Sequence, residues 1–143
     1  MQSFPLWIMD TKNYKNPSPR IKIVQKIYNS LMNPSSNIEF PKNKYKKFIK
    51  DVVTGTLERL DFIEETVNKH LANDIKLKKT DKLLKIILFA AVFELLFKHN
   101  NPKKVIISEY LLVSEYFLEK VQIGYLNAIL DKLAKVIRKD EWI

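Results

Sequence analysis

The chain of 143 residues contains no cysteine, which excludes a disulfide framework and a cysteine-ligated zinc site and fits a reducing cytoplasm. Glycine is almost as scarce, with two residues in all. No glycine-rich phosphate loop can therefore be built, and the turn glycines that punctuate a sheet protein are missing. Long apolar runs are absent too. The longest, IILFAAVF at 86–93, falls far short of the roughly 20 residues that span a bilayer. The start, MQSFPLWIMD, has no basic region and no extended apolar region, so it does not read as a signal peptide. Acidic residues are outnumbered, 16 against 25 Lys and Arg, giving a formal charge of +9 and a pI of about 9.6. That balance favours an anionic partner such as nucleic acid, although AT-rich coding also raises lysine content.

What is present is helical. Hydrophobic residues make up 46% and charged residues 29%, the mixture of a single globular domain able to bury its own core. Val24, Ile27, Tyr28 and Leu31 recur at i, i+3, i+4, i+7 in a helix expected from Pro19 or Arg20, which NPSSN at 33–37 ends. A second helix is expected from about Lys42, with Tyr45, Phe48, Ile49, Val52 and Val53 facing inward, and Gly55 marks a break or a close helix contact. Leu57, Leu60, Ile63, Val67 and Leu71 make a third stripe. Thr80 is the expected N-cap of a fourth helix, to about Lys98, whose all-round apolarity marks the centre of a bundle. Asn101-Pro102 predicts a restart with a capping asparagine and proline at the first helical position. The last helix is expected over about 121–138. The fold class is all-α, a single-domain bundle of about six helices, with residues 1–18 expected to form a flexible arm before a domain over 19–143.

Catalytic chemistry finds no footing. His70 and His99 stand in different segments without metal-ligand spacing, so neither a metal nor a cofactor nor a small-molecule substrate is expected. Lysines cluster instead: Lys12, Lys15, Arg20, Lys22 and Lys26 around the first helix, and Lys42, Lys44, Lys46, Lys47 and Lys50 around the second. A basic arm feeding a basic helix grips phosphates, and aromatics between such lysines stack on unpaired bases. Tyr28 is a candidate platform; Tyr45 reads better as a core residue.

Two stretches of the second half carry a resemblance. FELLFKHNNPKKVIISEYL (93–111) and IGYLNAILDKLAKVIR (123–138) resemble the NusB family of bacterial transcription antitermination factors. The family pattern Y/F-E-L, a short loop and P-x-K-V-x-I-N-E reads here as Phe93-Glu94-Leu95, Pro102, Lys104-Val105 and Ile107-Ser108-Glu109. Its F-V-N-x-V-L-D-K reads as Tyr125-Leu126-Asn127, then Ile129-Leu130-Asp131-Lys132. The likeness is close over 44–138 and looser over 20–31, where QKIYNSL stands for Q-A-L-Y. It implies a NusB-like all-helical fold in two subdomains. It also implies a cytoplasmic, non-catalytic role with the transcription elongation complex: binding boxA-type RNA together with the ribosomal protein NusE. On that basis Lys15, Arg20, Lys22, Lys26, Tyr28 and Tyr125 are the expected RNA contacts, and Lys104 and Glu109 the expected partner contacts. Gly124 would let RNA or a neighbouring helix approach, and Asn127 would tie the last helix to a nearby loop. The family's arginine cluster is reduced to Arg20 and lysines, which lose the planar bidentate grip on phosphate. The segment after the first helix is shorter than in the family, so one family helix is missing or reduced. Two other roles fit a domain of this kind: an accessory module of an RNA cytosine methyltransferase, or a helical protein scaffold.

Overall fold

The computed structural model describes residues 18–71 and 81–141. Six helices occupy them: α1 Pro19–Met32, α2 Lys46–Glu58, α3 Leu60–Leu71, α4 Lys82–Phe97, α5 Lys103–Ser114 and α6 Lys120–Ile137. None of the described residues lies in a strand, and no helix among them is long and apolar enough to cross a membrane.

Helix α4 organises the rest. From Ile86 to Leu95 every side chain is buried, and α4 packs against each of the other five helices. Helices α1 and α2 pack on each other and on α4, as do α5 and α6, so two groups share one central rod. The cap of α4 is Asp81, whose carboxylate accepts from Leu83 N (2.8 Å) and Leu84 N (3.3 Å). The expected cap, Thr80, lies outside the described residues. Asp81 does better there, since a carboxylate also complements the positive end of the helix.

Gly55 does not break α2, which runs on to Glu58. A Cβ at Gly55 would stand 2.2 Å from Cζ of the Phe93 ring of α4, so glycine is what lets these two helices meet. Helix α2 begins four residues later than its apolar pattern suggests, because Asn43 folds 43–46 into a turn by accepting from Tyr45 N at 2.8 Å.

Capping of α5 also departs from expectation. Pro102 is the N-cap rather than the first helical residue. The Asn101 side chain turns inward and donates to Glu94 Oε1 at 3.2 Å. The free amide of Lys103 is met from far along the chain by the Glu141 carboxylate at 2.7 Å. Helix α6 opens with a reciprocal capping box between Glu119 and Gln122. Just past its end, buried Arg138 donates to the carbonyls of Glu94 (3.2 Å), Leu95 (2.6 Å), Lys98 (3.0 Å) and Asn101 (3.0 Å). One guanidinium thus gathers the carbonyls at the end of α4, of which Glu94 O also accepts from Lys98 N (2.9 Å) and Lys98 O from Asn101 N (3.0 Å).

Candidate nucleic-acid interface

Arg20 is not at the surface. It lies inside α1, forked onto the buried Glu94 of α4: Nε to Oε2 at 2.9 Å and Nη2 to Oε1 at 2.7 Å. Nη1 reaches Glu109 of α5 at 3.4 Å, and Ser18 Oγ shares that carboxylate oxygen at 3.4 Å. The guanidinium carbon stands 5.0 Å from the Phe48 ring centroid and 5.6 Å from that of Tyr110. Burial pulls the Arg20 pKa down, but the hydrogen bond and charge of Glu94, with Tyr110 and Glu109, outweigh it and leave the pKa raised. Arg20 is charged in the core, and its chemistry is spent on joining three helices. As a phosphate contact it is corrected: no face of its guanidinium is left for RNA.

The two tyrosines exchange the roles expected of them: the periodicity that placed Tyr28 on the apolar face of its helix holds, and that for Tyr45 does not. Tyr28 is 7% exposed and belongs to the stripe of Ile21, Val24 and Ile27, so the expected base platform is a core residue. Tyr45 is 44% exposed, although its spacing to Ile49 and Val52 suggested burial. Because α2 starts at Lys46, Tyr45 sits on the preceding turn, off the helical face, with Lys44 Nζ 5.4 Å from its ring centroid.

Lys22 and Lys26, one turn apart on α1, remain half-buried on its outer side. With Lys46 they line a cavity of about 200 Å³ closed by Phe40, Pro41 and Asn43. The Lys26 ammonium donates to the Glu39 carbonyl at 2.5 Å and stands 5.4 Å from the Phe40 ring centroid. Burial, and then the charge of Lys22, hold its pKa below the ordinary lysine value, with Glu39 pulling the other way. Sequence reasoning named Lys22 and Lys26 but missed Phe40 and Asn43, because residues 33–45 follow no helical period. The lysine spacing 42, 46, 50 was the available signal that Lys46 would share a helical side with its neighbours.

On α6, Leu126, Ile129, Leu130 and Leu133 face the core, and Tyr125, 36% exposed, stands at the edge of the outer face. Gly124 has open space where a Cβ would be, so no neighbouring helix approaches it. Asn127 is exposed as well. It does not tie α6 to a loop; Arg138 and Glu119 fasten the helix instead. Lys104 is exposed at the start of α5, and Glu109 is half-buried by its contact with Arg20. Lys15 lies outside the described residues.

Comparison with known proteins agrees with this architecture. The NusB family model matches residues 14–135. The transcription antitermination protein NusB of Rhodopseudomonas palustris (strain HaA2) is 33% identical over 95 residues, covering 66% of this chain and 56% of that protein. The Rickettsia typhi protein of the same name is 34% identical over 106 residues, covering 71% and 68%. The match thus spans little more than half the length of the first of these relatives. Among solved structures, T. maritima NusB superposes with a TM-score of 0.72 at 20% identity, over 85% of this chain and 92% of that one, a likeness of fold. With a family match across most of its length and the same arrangement of helices about α4, the chain belongs to the NusB family.

Proposed function

We propose that the protein is an RNA-binding transcription antitermination factor. It binds boxA-type RNA together with the ribosomal protein NusE, as part of the elongation complex, in the cytoplasm and without a catalytic step. The observation that carries this reading is the outer face of α6. The stretch that matches the family pattern, 125–132, sits on a helix fixed at both ends and holds the Tyr125 ring at the edge of solvent. An aromatic so placed stacks on an unpaired base whatever the base's identity. The excess of positive charge supplies phosphate attraction, with Lys22 and Lys26 as the half-buried part of it. Lys104 and Glu109, both on α5, are the proposed partner contacts, Glu109 through the edge that Arg20 leaves open. The test is titration of the protein into a fluorescent boxA-like RNA, with and without purified NusE. Tight, salt-sensitive binding that NusE strengthens supports the reading. Equal, weak binding to boxA and scrambled RNA refutes it.

A further inference from the structure

The shortened segment after the first helix leads one to expect a family helix missing or reduced there, and the structure has an open connection, 33–45, with no helix in it. The connection lies against the outer side of α1 and leaves the cavity bounded by Lys22, Lys26, Phe40, Asn43 and Lys46. We propose that this cavity is a nucleotide pocket, which takes one unstacked nucleotide of a single-stranded RNA with its phosphate between Lys22 and Lys46 and its base on Phe40. The proposal rests on the RNA-binding reading above and adds a contact that α6 does not share, since α1, the connection and α2 build every wall.

Four observations converge on it. The first is charge. Three lysines and no carboxylate line the cavity. Lys26 is already committed to the Glu39 carbonyl and the Phe40 ring, which fixes the connection and the aromatic wall. Lys22 and Lys46 have no carboxylate partner among the described residues, so a phosphate is the partner they lack. The second is the amino end of α2. This 13-residue helix has no side-chain cap and no acidic residue in its first turn, and its first residue is Lys46. The positive end of its dipole therefore stands at the cavity without internal compensation. The third is polarity. Asn29 and Asn43 put amides at the same space; the Asn43 oxygen is taken by Tyr45 N, so Asn43 offers its NH2 donor and Asn29 a donor and an acceptor to a base edge. The fourth is size. At about 200 Å³ the space lies below the roughly 300–1,000 Å³ of pockets for drug-sized ligands and suits a single base.

The experiment has two arms. Adenosine 5′-monophosphate and, separately, inorganic phosphate are titrated into the full chain while the side-chain amide signals of Asn29 and Asn43 are followed by NMR. Adenosine monophosphate is expected to shift both signals at concentrations where phosphate shifts them little. Equal shifts by phosphate would show a plain anion site and overturn the nucleotide assignment, as would no shift at all. In the second arm a 12-nucleotide single-stranded RNA is titrated at several salt concentrations. The double variant Lys22→Gln/Lys46→Gln is expected to flatten the log–log salt slope by about 0.7, the term for the one phosphate that the pocket holds. Phe40→Leu is expected to weaken binding about 5–150-fold, the range of one lost stacking contact. Melting curves check that each variant is folded, which matters most for Phe40, a residue that packs partly against the core. If Tyr125→Ala weakens RNA binding while the cavity variants bind as the parent does, the pocket is refuted and the RNA-binding reading stands. If the parent chain binds no RNA, both fall together.

Discussion

Removing Arg20 separates the two roles that this residue could play. Arg20→Ala deletes both bonds of the fork on Glu94, the longer bond to Glu109 and the guanidinium packed near Phe48 and Tyr110. It leaves a carboxylate whose side chain is 0% exposed, with the Asn101 amide as its remaining close side-chain donor among the described residues. Stranding one partner of a buried ion pair costs about 3–5 kcal/mol. For a chain of this length, each kcal/mol moves the midpoint by about 2–4 °C, so the melting temperature should drop by about 6–20 °C. Replacing both partners with apolar groups, Arg20→Met with Glu94→Leu, should recover most of the loss, because neither charge then remains to be desolvated. Urea unfolding followed by circular dichroism measures the stability, and RNA titration of the same samples below their midpoints measures affinity per folded molecule. If Arg20→Ala stayed within about 1 kcal/mol of the parent and lost RNA affinity instead, Arg20 would be a phosphate contact and the buried pair would be wrong.

The two glycines should respond with opposite signs. Gly55→Ala drives a methyl group into the Phe93 ring and should destabilise by about 1–3 kcal/mol, whereas Gly124→Ala meets open space and should stabilise α6 by about 1 kcal/mol; urea melts read both. Tyr125→Ala should lose about 1–3 kcal/mol of RNA binding with little change in stability, and Tyr125→Phe should bind almost normally; a large drop in urea midpoint for the alanine variant would mark a packing residue. The amide of Lys103, and then the Arg138 guanidinium, hold the Glu141 carboxyl below the usual glutamate range, against the pull of desolvation. A depressed folded pKa gives stability that is complete above the ordinary value of about 4.3 and fades as pH falls through the lowered one. Glu141→Gln should therefore lower the melting temperature at neutral pH and flatten its acid dependence below about pH 4.3, and a pH series of melts decides it.

The helices were legible because burial imposes periodicity, and α4 most of all: a run apolar on every side has only the centre of a bundle to occupy. Start points were less legible. Asn43 and Asp81 set the ends of α2 and α4 through local hydrogen bonds that apolar spacing does not encode, and one such turn moved Tyr45 from the core to the surface. Long-range polar pairs were least legible. Nothing near Arg20 in sequence announces Glu94, 74 residues away, so a basic residue among lysines read as one more phosphate contact. The cavity was hidden for a similar reason: its walls come from α1, from a connection without period and from α2, and only folding brings Lys22, Phe40 and Lys46 together.

The clasp of Arg138 on the end of α4 also bears on the order of synthesis. Arg138 follows the carbonyls it closes by 44 positions at Glu94, 43 at Leu95 and 40 at Lys98. At about 5–20 residues per second, a ribosome needs about 2–8 s to travel from Lys98 to Arg138. Through that interval α4 has been made without α6 to cover it, and α5 is added only partway through. The nascent protein must therefore wait, its central rod half-clothed, for its last helix to arrive. A pause in translation within α6 would lengthen that exposure, and the yield of soluble protein should fall with it.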